Sequence, residues 1–367
     1  MKHARHAVTV GIAALACATV SFRLAAPAAA LEQPATFSIV AYDSVTRELG
    51  VAVESKYFSV GRVVPWAEAG VGAVATQANV NPSFGPKALA MLAAGVSPAD
   101  ILGAFMAADS SWDSRQLGIV DAQGRAVSWT GPKCNSWAGG VVGIHFACQG
   151  NILAGPQVVA SMVAAFRASR EELAGRLIAA LEAGQAAGGD KRGQQSAALI
   201  VVRPSVGHPE FRQRFVDLRI EDHPRPIAEL RRLWRVHQGF HGAGAHMAMA
   251  AEYEALGRPE LASLERERVH ETLTDVLKRG DRDANLLNGL AWACAEHGLH
   301  LPDALKAAER AAALEPRSTD ILDTLAEVHF RMGNVARALE IERRAAALDR
   351  GNPYLKSQIE RFSRGPR

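Results

Sequence analysis

The sequence predicts an α+β domain followed by an all-α helical-repeat domain. Two observations carry this. Between residues 35 and 235, strand-like runs and helical runs come in blocks: strands, two helices, strands, two helices, strands. That order segregates sheet from helix instead of alternating them strictly. Beyond residue 245, a helical pattern repeats itself at a spacing near 34 residues.

The chain has 367 residues, enough for two domains. It is 48% hydrophobic and 22% charged, as an ordinary globular chain is. A net charge of +3, with no basic stripe interleaved with aromatics, argues against nucleic acid as a partner.

The N-terminus has the layout of an export signal. MKHARH is basic, AVTVGIAALACATVSF is apolar, and RLAAPAAA places small residues at Ala28 and Ala30. Cleavage is expected after about Ala30, so that residues 1–30 are a signal peptide and the mature protein is periplasmic or secreted. No other stretch is long and apolar enough to span a bilayer.

The strands begin with TFSIVAYD, LGVAVES and GVGAVATQ, whose small and glycine-spaced residues suit close packing. Residues 85–108 have helical periodicity broken at Gly95, and Ser97 with Pro98 forms an N-cap and first-turn pair. LGIVDAQGRAVSWTG reads as a hairpin turning at AQGR, with Asp121 as a turn residue. GIHFACQGNILAG runs as a strand into the helix PQVVASMVAAFRAS, and REELAGRLIAALEAGQAA is a second helix. GGDKRGQQSAALIVV is a turn into a strand, RFVDLRIED is one more strand, and HPRPIAELRRLWRVHQ starts the helical region.

Within residues 245–367, segment 287–316 aligns with 322–350. Leu290 matches Leu325, Gly298 matches Gly333, Ala304 matches Ala338, and Ala311 matches Ala345. Period and small residues resemble tetratricopeptide repeats, which implies stacked helix pairs and a protein partner.

Cys134 and Cys148 flank a glycine-rich segment, and in an oxidising compartment a disulfide between them is one expectation. Cys294 lies on a helix as a small core residue. The histidines of HQGFHGAGAH are expected on the surface or in a loop, and no Cys or His cluster has zinc spacing. Neither a metal nor a cofactor is expected.

TFSIVAYD, GVAVESKYFSVGRVVPWAEAGVGAVATQA, LGIVDAQGR, QGNILAGP and GGDKRGQQSAALIVV, in this order, resemble an uncharacterised family of the Ntn-hydrolase superfamily over about residues 35–235. The resemblance implies a four-layer αββα sandwich. It also implies amide-bond hydrolysis by an N-terminal nucleophile whose own α-amine is the base. Thr36 stands at the nucleophile's position. By similarity Glu54 takes the place of an acid, with Ser55 and Lys56 after it. Two cuts would be needed to free Thr36, one after Ala30 and one between Ala35 and Thr36.

Further site candidates cluster at strand ends and turns. Gly150 and Asn151 could present N–H groups to an oxyanion. Asp190, Arg192, Gln194, Gln195 and Ser196 form a polar turn, with Asp190 and Ser196 placed in the catalytic set and Arg192, Gln194 and Gln195 against substrate. Arg62 and Gln77 complete the substrate-binding set, Arg62 as a charge stabiliser because an arginine stays protonated. The substrate would be a small amide or peptide. An alternative reading is a catalytically inactive scaffold whose repeats recruit a protein, and a weaker one makes Ser55 the nucleophile with Lys56 or an incoming His as base. Ntn folds often associate through helical layers, which leaves a homo-oligomer open.

Overall fold

The computed structural model describes residues 36–204 and 214–365, so the signal segment and Cys17 lie outside the described residues. Two antiparallel sheets form the first part. β1 (Thr36–Tyr42), β2 (Leu49–Ser55), β7 (Gly139–Gly143), β8 (Phe146–Asn151), β9 (Ser196–Val202) and β10 (Val216–Ile220) make a six-stranded sheet ordered β10-β9-β2-β1-β8-β7. β3 (Pro65–Glu68), β4 (Gly72–Ala78), β5 (Arg115–Asp121) and β6 (Ala126–Thr130) make a four-stranded sheet in chain order.

Strand alternation divides the apolar residues into three cores. Val40, Val51, Val53, Ala198 and Ile200 of the large sheet meet Ala73, Ala75 and Val120 of the small one, filling the space between the sheets. Phe37, Ile39, Ala52, Cys148, Leu199 and Val201 point the other way. They pack under α3 (Pro156–Ala168), α4 (Leu173–Ala186) and α5 (Pro226–His237), with Trp234 of α5 almost fully enclosed. Val74, Leu117 and Ile119 lie beneath α1 (Phe84–Ala93) and α2 (Pro98–Ala108). The α1–α2 break occurs at Gly95, whose φ of 85° is a left-handed value that glycine adopts without strain. Ser97 caps α2 by accepting from the Asp100 N–H. The AQGR turn joins β5 to β6, and Asp121 Oδ1 accepts from the N–H groups of Gln123 and Arg125.

After a π-helical turn (Gln238–Gly242) the chain is helical: α6 (Ala243–Ala255), α7 (Pro259–Arg279), α8 (Ala284–His297), α9 (Leu301–Leu314), α10 (Thr319–Arg331), α11 (Val335–Leu348) and α12 (Pro353–Ser363). The pairs α8–α9 and α10–α11 are the two copies of the internal repeat. Leu290, Ala304 and Ala311 in one, and Leu325, Ala338 and Ala345 in the other, are all buried in one core. Gly298 and Gly333 both have positive φ just beyond the first helix of each pair.

Two expectations are corrected. Cys134 and Cys148 are free thiols. Cys148 alternates inward into the core beneath α3, while Cys134 sits in the loop after β6 and donates to the Arg115 carbonyl, so the chain directs the two apart. His246 is neither surface nor loop: it is a buried residue of α6, because partners on neighbouring elements, invisible in its local sequence, satisfy its ring. No helix among the described residues is long and apolar enough to cross a membrane.

Candidate functional site

β1 and β2 pair so that Thr36 lies opposite Ser55, and β1 and β8 pair so that Thr36 lies opposite Asn151. β9 adds Ser196 opposite Ser55. Residues paired across a sheet share one face. Asn151, Thr36, Ser55 and Ser196 therefore form a polar row across four neighbouring strands, on the face turned to the small sheet and at the end of each strand's apolar run. All four are buried.

The row is bonded to itself and to the opposite sheet. Thr36 Oγ1 lies 3.1 Å from Ser55 Oγ. Gln77 of β4 donates through Nε2 to the Thr36 carbonyl at 3.2 Å and to Gln116 Oε1 at 2.8 Å. Asn151 Nδ2 donates to the same Gln116 oxygen at 3.0 Å. Gln116 Nε2 in turn reaches the Gly150 carbonyl and Thr130 Oγ1, both at 2.8 Å. Behind Thr36 on β1, Ser38 donates to Gln77 Oε1 and accepts from Gln149 Nε2 at 2.6 Å. These amides and hydroxyls are neutral at every ordinary pH, and each satisfies its neighbour in the buried space between the sheets.

Ser196 serves the backbone: it accepts from the Val60 N–H at 3.0 Å and donates to the Tyr57 carbonyl, holding the loop that leaves β2. Asp190 does the same from the other side. Its carboxylate accepts the Lys56 N–H at 2.9 Å and pairs with Arg192 at 2.9 Å. Lys56 Nζ turns outward to the Gln194 carbonyl. Gln195 reaches Asp222 at the exposed rim.

Glu54 is placed apart from Thr36. It pairs opposite Phe37, and alternation turns its side chain to the helix-facing side of the sheet. It is fully enclosed, and burial, with the Asp190 carboxylate nearby, pushes its pKa well above the ordinary range. Arg62 also lies elsewhere. It is exposed and lines a cavity of about 420 Å³ with Trp66, Glu68, Arg214 and Arg219. Gly150 carries no side chain into the site and contributes its carbonyl to Gln116.

The structure thus gathers Thr36, Ser55, Gln77, Asn151 and Ser196 in the space between the sheets. It puts Asp190, Arg192, Gln194, Gln195 and Lys56 on the enclosing loop, and Glu54 and Arg62 outside. Gln116, Gln149, Ser38 and Thr130 were not anticipated from the sequence. Their signal was available: each is a polar residue in the inward phase of its strand. Among the described residues no group of His, Cys, Asp and Glu has the arrangement of a metal site.

A family model described as a family of unknown function, DUF1028, matches residues 36–230. A crystal structure of protein SPO2555 from Silicibacter pomeroyi, assigned to the same family model, is similar at 33% identity and a TM-score of 0.51. That match covers 56% of this chain and 86% of the other. The first TPR domain of human RPAP3 is 15% identical with a TM-score of 0.25, over 34% of this chain and 91% of that one. PilF of Pseudomonas aeruginosa is 21% identical with a TM-score of 0.24, over 37% and 59%. No curated protein matches the chain. The chain belongs to the DUF1028 family.

Proposed function

We propose that this member of the DUF1028 family is an exported amidohydrolase of the Ntn type, with Thr36 as nucleophile and base. The observation that carries the reading is the position of Thr36. It heads a central strand, with its hydroxyl turned into the space between two sheets and flanked by Ser55 and Asn151. The order helices, sheet, sheet, helices is read as the αββα sandwich of that superfamily, and α8–α9 and α10–α11 as tetratricopeptide-type repeats.

The chemistry follows from a threonine with a free amine. Hydrolysis of the Ala35–Thr36 bond consumes one water and frees the α-amine, whose ordinary pKa of about 7.7–8.0 suits a base near neutrality. The amine takes the hydroxyl proton as Oγ1 attacks the amide carbonyl. The C–N bond then breaks, the proton leaves with the departing amine, and a second water hydrolyses the ester to restore the hydroxyl. One Asn151 amide hydrogen is held by Gln116; the other is the donor for the developing oxyanion. Gln77 fixes the Thr36 carbonyl and so the rotation of the residue. Lys56 faces outward, so neither it nor Arg62 supplies a base, and the α-amine alone holds that role.

The test is the intact mass and N-terminal sequence of the exported protein, followed by acylation with a β-lactone probe. A chain starting at Thr36 and acylated there, with no label in Thr36→Ala, supports the proposal. A chain starting at Leu31 that takes no label overturns it, as does a label on Ser55. One observation favours a second reading, an inactive binding module: the Thr36 hydroxyl is completely enclosed and already bonded to Ser55. A mature start at Leu31 would select it.

A further inference from the structure

Away from the site, at the opposite end of β2 and β9, six charged side chains are buried where the sheets meet the helical region. Glu48 precedes β2, Arg203 follows β9, and Glu172 precedes α4. His246 comes from α6, and Glu265 and Arg268 from α7. None has a side chain more than 9% exposed.

Their contacts cross between the two parts of the chain. Arg203 pairs with Glu48 on its own side and reaches Glu265 across the boundary at 3.2 Å. Arg268 reaches back to Glu48 at 3.6 Å. His246 lies between two carboxylates: Nδ1 is 2.6 Å from Glu265 and Nε2 is 3.4 Å from Glu172. Only a doubly protonated imidazole donates from both nitrogens. With that proton the sheet side brings one cation and two anions, and the helical side two cations and one anion. The surfaces are complementary and the cluster is neutral. Without the proton, one negative charge is left uncompensated in a dry interior, a costly arrangement.

We propose that this cluster is a proton-dependent clamp: the helical region is held firmly on the sheets while His246 is protonated and loosens when the proton leaves. The other groups facing His246 fit this. His237 is held neutral by burial, with a pKa near 4, and the Phe215 ring meets the imidazole edge-on at 5.4 Å. Arg203 lowers the imidazole's proton affinity, but Glu172 and Glu265 outweigh both it and the burial, and the pKa is raised above 6.5. Tyr253 faces Glu265, its own pKa raised by burial, and Asp43, paired with Arg176, faces Arg268. The sign follows. A raised histidine contributes fully below its unfolded value of 6.5 and ceases to contribute as pH rises through the folded value. Burial opposes ionisation of Glu172 and Glu265, but His246 and the arginines hold both near 2, so the acid edge lies below 4.5.

The test is hydrogen exchange of the full chain between pH 5 and 9, read as protection factors of α6 and α7 amides. In the wild type, protection falls up to about tenfold per pH unit above 6.5 and levels once the ring has lost its proton. Glu265→Gln removes one of the two carboxylates that hold the ring proton and makes the cluster neutral when His246 is neutral, so its fall with pH is shallower than the wild type's or absent. Glu172→Gln makes the same change from the sheet side and serves if Glu265→Gln does not fold. Wild-type protection that stays flat from pH 6 to 9 overturns the clamp. So do variants that fall with pH as the wild type does.

Discussion

Replacing Gln116 with methionine tests whether the neutral network holds the site in shape. The side chain is fully buried and takes part in five hydrogen bonds. Methionine keeps its length and removes all five. Gln77 retains the Thr36 carbonyl, and half-buried Thr130 turns to water. Asn151 Nδ2 has no such recourse, since the residue is buried, whereas the Gly150 carbonyl keeps its place in the ladder opposite Gly139. At about 1–3 kcal/mol for a stranded group, we expect a loss of about 2 kcal/mol. With roughly 2–4 °C per kcal/mol for a domain of this size, Tm should drop by about 4–8 °C. Thermal melting of Gln116→Met beside Gln194→Met, a change on the enclosing loop, measures it. A drop under about 2 °C would refute the reasoning, because the network would then be support in appearance only. A Tm loss equal in the two variants would refute it as well.

Two further outcomes concern the helical region. Gly289 of α8 approaches the π-helical turn so closely that a Cβ there would lie 1.8 Å from the Gly239 carbonyl oxygen. Gly289→Ala should therefore cost at least about 1–3 kcal/mol, read as a lower denaturant midpoint, whereas Gly244→Ala, with open space around it, should not. Glu342 is enclosed beside Asp323, and burial, reinforced by that neighbouring carboxylate, raises it to about 8. The folded state then holds a proton that the unfolded chain releases near 4.5, so stability falls as pH rises from about 4.5 to 8. Glu342→Gln should flatten that decline in α10 and α11, as seen by hydrogen exchange.

Much of the fold was legible because its signals are local. Alternation marked β1, β2 and the β5–β6 hairpin, glycine spacing marked β4, an apolar run after a glycine-rich turn marked β9, the Ser97–Pro98 pair marked the start of α2, and the matched glycines and alanines marked the repeated helix pairs. β3 escaped, being four residues long with a proline at its head. Thr36, Ser55 and Asn151 were legible as polar residues at strand ends, but their meeting was not, because register decides it. The same rule separated Glu54 from Thr36. One residue along a strand reverses the face, so VAVES carries Ser55 to the hydroxyl and Glu54 to the helices. The motif's composition alone cannot show that.

By itself the sequence determined the order of elements and the internal repeat, since each depends on residues near one another in the chain. Only the tertiary structure decided which polar residues share an interior. Ser38 and Gln77 are 39 positions apart, Gln116 and Asn151 are 35, and each pair meets in the space between strands from different sheets. It also decided that six scattered charges close on one another, with Glu48 and Arg268 joined across the boundary between sheets and helices. Buried polar groups must find partners, and which partner each finds is settled by the packing that excludes water.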